Sequence, residues 1–230
     1  METQPPHVAV IIPALNEAGS IAQVVRALPQ DGVQQVLVVD NGSTDGTADQ
    51  ARLAGATVLH EPRRGYGWAC LAAASYLAAQ PPDVLVYLDA DGSDHPGELP
   101  ALLAPIQAGQ AQLVIGSRVA RAQPGALTLP QRLGNALACT LIRWLHGVHF
   151  TDLGPFRAIT WAAYQALDMQ DTTYGWTAEM QVKAARQGLP CAEVPVRYRP
   201  RQAGRSKVSG TLRGVLLAGC KILWTVFFVR

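Results

Sequence analysis

Three short apolar runs, Val8 to Pro13, Val36 to Asp40 and Val84 to Asp89, each end in a proline or an aspartate, and alanine-rich stretches of helical length separate them. Runs this short and this continuously apolar suit parallel strands, because crossover helices shield such a sheet from water on both sides. Helical stretches at Ser20 to Leu28, Thr44 to Ala54 and Gly67 to Gln80 fill the intervals, and a fourth, Pro96 to Gln107, leads into Gln112 to Gly116. The alternation is βαβα. The expected fold is therefore α/β: a doubly wound, mostly parallel sheet with helices on both faces and right-handed crossovers. Ligands of such sheets bind beyond the carboxyl ends of the strands. Asn16, Glu17, Asp40, Asn41, Asp89 and Asp91 all fall there.

After Arg118 the pattern loosens into a Pro/Gly-rich link (Gln123 to Gly125), a helix near Gln131 to Leu145, and short strands around Phe150 to Thr160. A helix from Trp176 to Gln187 and an extended run from Cys191 to Tyr198 follow. No linker is long or polar enough to separate two domains, so residues 1–213 read as one unit with halves 7–119 and 120–213. At 230 residues, 49% apolar and 16% charged, the chain can bury one sizeable core. Its four cysteines, Cys70, Cys139, Cys191 and Cys220, form neither a CxxC pair nor a compact framework, which fits a reduced, cytoplasmic protein. The first residues carry no basic n-region, so no signal peptide is expected.

Charge is unevenly spread. Up to Glu193 there are 11 Lys/Arg against 17 Asp/Glu, and from Val194 onward 8 Lys/Arg and no acid. A basic tail of this kind attracts phosphates, anionic membrane surfaces or nucleic acid, but no RNA- or DNA-binding motif accompanies it. The last stretch, Gly214 to Val229, is too short and too interrupted by Lys221 to span a bilayer, which takes roughly 20 apolar residues. Gly214, Ala218, Lys221 and Thr225 form one stripe among Leu, Ile, Trp and Phe, with Arg213 and Arg230 flanking. Residues 214–230 therefore read as an amphipathic helix lying at a membrane interface; packing on the core is the alternative.

Asp89-Ala-Asp91 directly follows a buried strand, within Asp-Ala-Asp-Gly-Ser-Asp-His-Pro96. Two hard oxygen ligands at a strand end suit Mg²⁺ or Mn²⁺ bridging a nucleotide diphosphate. Asp40, ending another strand, is placed to hydrogen-bond a ribose or base. The glycines after it do not make a GxGxxG loop, which argues against a dinucleotide-binding dehydrogenase. The histidines are too scattered for a metal site. Arg63-Arg64-Gly-Tyr-Gly67 reads as a loop near the nucleotide whose arginines can reach a phosphate.

Ile11-Ile-Pro-Ala-Leu-Asn-Glu17, Val38-Val-Asp-Asn-Gly-Ser-Thr-Asp-Gly46, Leu88-Asp-Ala-Asp91 with His95-Pro96, and Gly116-Ser-Arg118 together resemble glycosyltransferase family 2, of the GT-A fold. Asp152-Leu-Gly-Pro-Phe-Arg157, Gly175-Trp-Thr-Ala-Glu-Met180, Glu193-Val-Pro195 and Gly204-Arg-Ser-Lys207 are similar, more narrowly, to the dolichyl-phosphate and other polyprenyl-phosphate mannose and glucose synthases. The resemblance covers about residues 7–210. It implies a nucleotide-sugar-binding half (7–119) and an acceptor-side half (120–213). Pro13, Ala14, Asn16 and Glu17 would line the base and ribose pocket with Asp40 and its neighbour Asn41, and Asp89 and Asp91 would hold nucleotide and metal. Arg118 would face the diphosphate or the acceptor phosphate. Arg205, Ser206 and Lys207 would close over the phosphates, joined by Arg132, while Asp152 and Glu179 orient the sugar or the basic residues.

Three departures from the family pattern stand out. Two acids are usual where this chain has Asp40-Asn41, and Ser93 replaces a metal-side glutamine of archaeal-type mannose synthases. Relatives that glycosylate hydroxyls commonly carry a Glu-Asp pair where this chain has Glu179-Met180. A hydroxyl must lose its proton to a positioned base, whereas a lipid phosphate is already ionised at neutral pH and needs only cations to offset repulsion. The expected reaction is inverting, metal-dependent transfer of glucose or mannose from UDP-glucose or GDP-mannose to polyprenyl phosphate, at the inner face of the membrane. The alternatives are transfer to a hydroxyl of a small soluble acceptor, and a non-catalytic sugar-nucleotide-binding subunit.

Overall fold

The computed structural model describes residues 6–203 and 212–229. Seven strands form one sheet among them, in the order β3-β2-β1-β4-β6-β5-β7. β1 (Val8–Ala14) lies between β2 (Val33–Asp40) and β4 (Val84–Tyr87), parallel to both, and β3 (Thr57–His60) extends the edge in parallel beyond β2. β6 (Arg157–Thr160) is antiparallel to its neighbours β4 and β5 (Leu113–Ser117), and β7 (Cys191–Pro195) closes the other edge parallel to β5. The expected α/β architecture is thus formed, and its one inversion comes from β6, a strand of the second half inserted between two of the first. The short strands expected through 150–160 reduce to this one.

The sheet is covered on both faces, as its continuously apolar strands require. Alternate residues of β1 split between two cores: Ala9 and Ile11 face one, and Val8, Val10 and Ile12 the other. The first core holds α3 (Tyr66–Leu77), α5 (Leu129–His146), α6 (Trp161–Leu167) and α7 (Trp176–Arg186). The second holds α1 (Ile21–Arg26) and α4 (Leu99–Gln107), with α2 (Thr47–Leu53) contributing Ala51. α5 begins with a capping box in which Thr128 and Gln131 satisfy each other's backbone amides, and ends at Gly147 in the left-handed region.

α8 (Leu212–Phe228) packs against α5 and α7. Its stripe of small and polar residues turns inward: Ala218 and Thr225 are buried, and Lys221 Nζ pairs with Asp171 Oδ2 at 2.9 Å. The bulky residues Leu217, Trp224, Phe227 and Phe228 face outward. In packing, this helix is continuous with residues 120–203.

Two glycines let the start of α3 approach the 171–172 backbone. Gly65, at φ 147°, faces the Thr172 carbonyl, and a Cβ on Gly67 would run into the Asp171 carbonyl oxygen. Because both obstacles are backbone, relief requires moving a loop that Asp171 ties to α8. We expect Gly67→Ala to lower stability by about 2 kcal/mol, the range of overpacking in a filled interior, read as a drop in the denaturant midpoint.

Candidate active site

A cavity of about 490 Å³ opens at the carboxyl ends of β1, β2, β4 and β5. Pro13, Ala14, Glu17, Asn41, Asp89, Asp91 and Arg118 line it, so seven of the residues singled out from sequence meet in one place. Asp40 and Asn16 stand behind this lining and fix its loop. Asp40 Oδ1 accepts from Ser43 N at 3.0 Å, and Asn16, held at φ 53°, accepts from Thr44 N through Oδ1 at 2.8 Å. Asn41 explains why an amide replaces the second acid here. Its Nδ2 donates to the carbonyls of Glu61 and Arg63 at 3.0 and 2.7 Å while Oδ1 accepts from Gly65 N at 2.8 Å. An ionised carboxylate has no proton to give those carbonyls.

Asp89 and Asp91 are placed by the turn after β4, and Asp94 completes a buried acidic group. Asp91 Oδ1 accepts from Ser93 N at 2.8 Å and Asp94 Oδ2 from Asp89 N at 3.1 Å. The second oxygen of Asp94 finds no hydrogen-bond partner among the described residues. Burial pushes the Asp89 carboxyl well above the usual range, with the neighbouring Asp91 and Asp94 charges adding to it. Burial likewise raises Asp94 to about 7. Among the described residues no three His, Cys, Asp or Glu side chains converge as a preformed metal cage. The donor set nonetheless fits a hard divalent cation, which takes one or two protein carboxylates and fills its remaining positions with phosphate and water. Acids held this close in a buried pocket are what such a cation relieves.

Arg118 is held by a buried carboxylate. Its backbone N and Nε donate to Asp152 Oδ2 at 2.8 and 2.7 Å, and Nη2 donates to Oδ1 at 2.7 Å. Asp152 is 1% exposed, and its charge holds the Arg118 guanidinium in its ionised form. Asp152 is itself set by Glu193, which accepts from the backbone of Thr151 and Asp152 at 2.9 and 3.1 Å. Arg132 lies apart from the first cavity. It lines a second, of about 530 Å³, which shares Arg118 and Gln131 with the first and also includes Asn135 and Asp152.

Glu179 does not line either cavity. Its carboxylate is 1% exposed, accepts from Gln170 N and Asp171 N at 2.9 and 2.7 Å, and pairs with Lys183 at 2.9 Å. It organises the loop of Asp171, which is buried against Lys221, and of Thr173, which lines the first cavity. Arg205, Ser206 and Lys207 lie outside the described residues.

Arg64, Gly65 and Tyr66, of the loop the sequence reading set near the nucleotide, line the first cavity too, whereas Thr173, Tyr174, Thr177, Tyr198, Arg201 and, from α8, Ala218 and Ile222 were missed. Arg201 is the most consequential, since Nη1 lies 2.7 Å from Glu17 Oε1 and Nη2 2.9 Å from Asp91 Oδ2. It belonged visibly to the basic tail, but nothing local distinguishes it from its neighbouring arginines.

Beside the second cavity lies an exposed apolar face. Leu129, Leu133, Leu137 and Trp144 of α5 are all exposed, Trp144 by 77%, and at 3.6 residues per turn they share roughly 80° of arc. Arg132 and Arg143 flank them. Leu217, Trp224, Phe227 and Phe228 add the outer side of α8, which packs on α5.

The family model described as glycosyl transferase family 2 matches residues 9–160. An uncharacterized glycosyltransferase of Mycobacterium tuberculosis is 42% identical over 214 residues, 92% of this chain and 94% of that protein. The undecaprenyl-phosphate mannosyltransferase of Micrococcus luteus is 34% identical, covering 90% of each chain. Glucosyl-3-phosphoglycerate synthase from M. tuberculosis, solved with Mn²⁺, UDP-glucose and phosphoglyceric acid, superposes at a TM-score of 0.76 with 26% identity, over 96% of this chain and 78% of that one. The acidic turn, the asparagine-ordered loop after β2 and the Gly-Ser-Arg strand end therefore sit in a chain that belongs to glycosyltransferase family 2, a hexosyltransferase of the GT-A fold.

Proposed function

We propose that this glycosyltransferase moves one hexose, glucose or mannose, from a nucleotide sugar to a polyprenyl phosphate, at the cytoplasmic face of a membrane to which it binds peripherally. The observation that carries the reading is the apolar face of α5 and α8 beside the cavity lined by Arg118 and Arg132. An acceptor with an anionic head and a long apolar tail matches that combination, because bulky apolar side chains exposed together on one helix face mark a membrane or partner contact. Among the described residues no helix is long and apolar enough to cross a membrane, so contact through an exposed face is the mode this reading uses. The relative from Micrococcus luteus, named for undecaprenyl phosphate, supports the same acceptor class.

In this reading the base and ribose lie against Pro13, Ala14, Glu17 and Asn41, ordered by Asn16 and Asp40. Asp89 and Asp91 hold Mg²⁺ or Mn²⁺ against the diphosphate, and the cation supplies charge neutralisation for the departing nucleoside diphosphate. An ionised phosphate oxygen of the acceptor attacks the anomeric carbon opposite the breaking bond to the diphosphate, so configuration inverts and no general base is required. Arg118, oriented by Asp152, offsets the repulsion between the two phosphate groups. Arg132, Arg205, Ser206 and Lys207 add cationic and hydroxyl donors on the acceptor side.

The test is transfer of radiolabel from UDP-glucose and GDP-mannose into an organic-extractable product, with Mg²⁺ or Mn²⁺, with and without polyprenyl phosphate. Lipid-phase label that requires the lipid and vanishes with chelator is the expected result, and the labelled donor names the sugar. A second reading, a small soluble acceptor, is favoured by the superposition on glucosyl-3-phosphoglycerate synthase, whose structure holds phosphoglyceric acid. Label in a water-soluble product, with none in lipid, would establish it instead.

A further inference from the structure

If Asp89 and Asp91 are the metal-side carboxylates, as read above, the acidic pocket already contains a positive group of the protein's own, the Arg201 guanidinium. Arg201 straddles that pocket, with Nη1 2.7 Å from Glu17 Oε1 and Nη2 2.9 Å from Asp91 Oδ2. Its side chain is 23% exposed and lines the same cavity as Asp89 and Asp91. The segment bearing it is strapped along the acidic turn by its backbone and a neighbour: Gln202 N donates to Asp91 O at 3.1 Å, Arg199 N to Ser93 O at 3.0 Å, and Arg199 Nε to Gly92 O at 2.6 Å. The side chain can therefore swing while its Cα stays fixed.

We infer that Arg201 is a resident counter-cation which occupies Asp91 in the donor-free enzyme and is displaced when metal and nucleotide arrive together. A carboxylate paired with a guanidinium is a poor ligand for a free divalent ion, because the ion must break a charge-assisted hydrogen bond and then sit beside a positive group. A nucleotide diphosphate removes both obstacles, since its oxygens accept the guanidinium that the metal expels. Metal alone thus binds weakly, and metal with nucleotide binds well. The arrangement makes loading of the donor side concerted and keeps the acidic pocket neutralised between turnovers. Glu17 shares the arginine and so helps hold it in the donor-free position.

Mn²⁺ binding to the nucleotide-free protein, followed by the EPR signal of free Mn²⁺, tests this without turnover. Arg201→Met and Arg201→Gln should each bind Mn²⁺ about tenfold more tightly than the unaltered protein in the absence of nucleotide, a free-energy change of about 1.4 kcal/mol. In the presence of UDP or GDP the order should reverse, with nucleotide affinity at saturating Mn²⁺ weakened about tenfold in both variants. Two replacements of different polarity guard against a packing artefact, and circular dichroism checks that both remain folded. Unchanged or weaker Mn²⁺ affinity in nucleotide-free Arg201→Met and Arg201→Gln, with normal nucleotide-dependent Mn²⁺ binding in the unaltered protein, overturns the exchange and leaves the metal assignment intact. Absence of Mn²⁺ binding in every protein, with nucleotide present, overturns the metal assignment and the exchange with it.

Discussion

Asp91→Asn should reduce transfer by about a thousandfold or more, because a metal-held leaving group contributes several kcal/mol to the transition state and each 1.4 kcal/mol is a factor of ten. Asparagine is the informative replacement. Its side-chain oxygen still accepts from Ser93 N, the 2.8 Å bond that shapes the turn, while the negative charge facing the cation is gone. Stability should change little. The variant loses an ion pair to Arg201, whose side chain is partly exposed and can rehydrate, and it gains relief from repulsion with Asp89 and Asp94. Initial rates with nucleotide sugar and acceptor, alongside a thermal melt, check both halves. Activity within tenfold of the unaltered protein would remove Asp91 from the metal site, whatever the melt shows.

That prediction starts from a motif legible in the bare sequence, and so do β1, β2 and β4, whose apolar runs are long enough to declare a covered sheet. The strand that inverts the sheet was less legible. β6 is four residues, Arg157 to Thr160, and it begins with a fully buried arginine that a hydropathy pattern reads as surface. The structure accounts for the arginine by contacts of which a local window holds just one: its guanidinium donates to the Gly154 carbonyl three residues back, and to the Thr177 carbonyl and Gln181 Oε1, 20 and 24 positions on. α8 was legible as an amphipathic helix but not in its orientation. The stripe carrying Lys221 looks solvent-facing until Asp171, fifty residues earlier, supplies its partner.

The site follows the same division. Groups at strand ends, such as Asp40, Asp89 and Asp91, are visible because a polar residue closing an apolar run is locally anomalous. Arg201 reaches Asp91 across 110 positions and Asp152 reaches Arg118 across 34, and sequence spacing encodes neither meeting. Glu179 shows the opposite effect. It sits at a position where the family pattern suggests chemistry, yet its oxygens are taken by two backbone amides and Lys183.

Asp152→Ala should cost about 3 kcal/mol of stability, the lower end of what stranding one member of a buried ion pair costs, since Arg118 retains some contact with water. The removed carboxylate receives three donors from Arg118; the Tyr198 ring, 5.0 Å from the guanidinium carbon, and the more distant Asp94 charge stay near it but give it no such bonds. Loss of activity in that variant would be ambiguous by itself, because a misfolded strand end and a misdirected guanidinium both stop transfer. Arg118→Met combined with Asp152→Leu separates them. Replacing both partners with apolar groups leaves neither member of the pair as a stranded charge, so most of the lost stability should return, and the coupling between the two sites is read from the double-mutant cycle closed by the single variants Arg118→Met and Asp152→Leu. If Arg118 serves the phosphates, the double variant stays inactive although it melts close to the unaltered protein. If the pair serves only to fasten β5 to the 151–153 loop, activity returns with stability. The expected outcome is the first, because Arg118 lines both cavities and belongs to a charged pair whose other member is sealed from solvent.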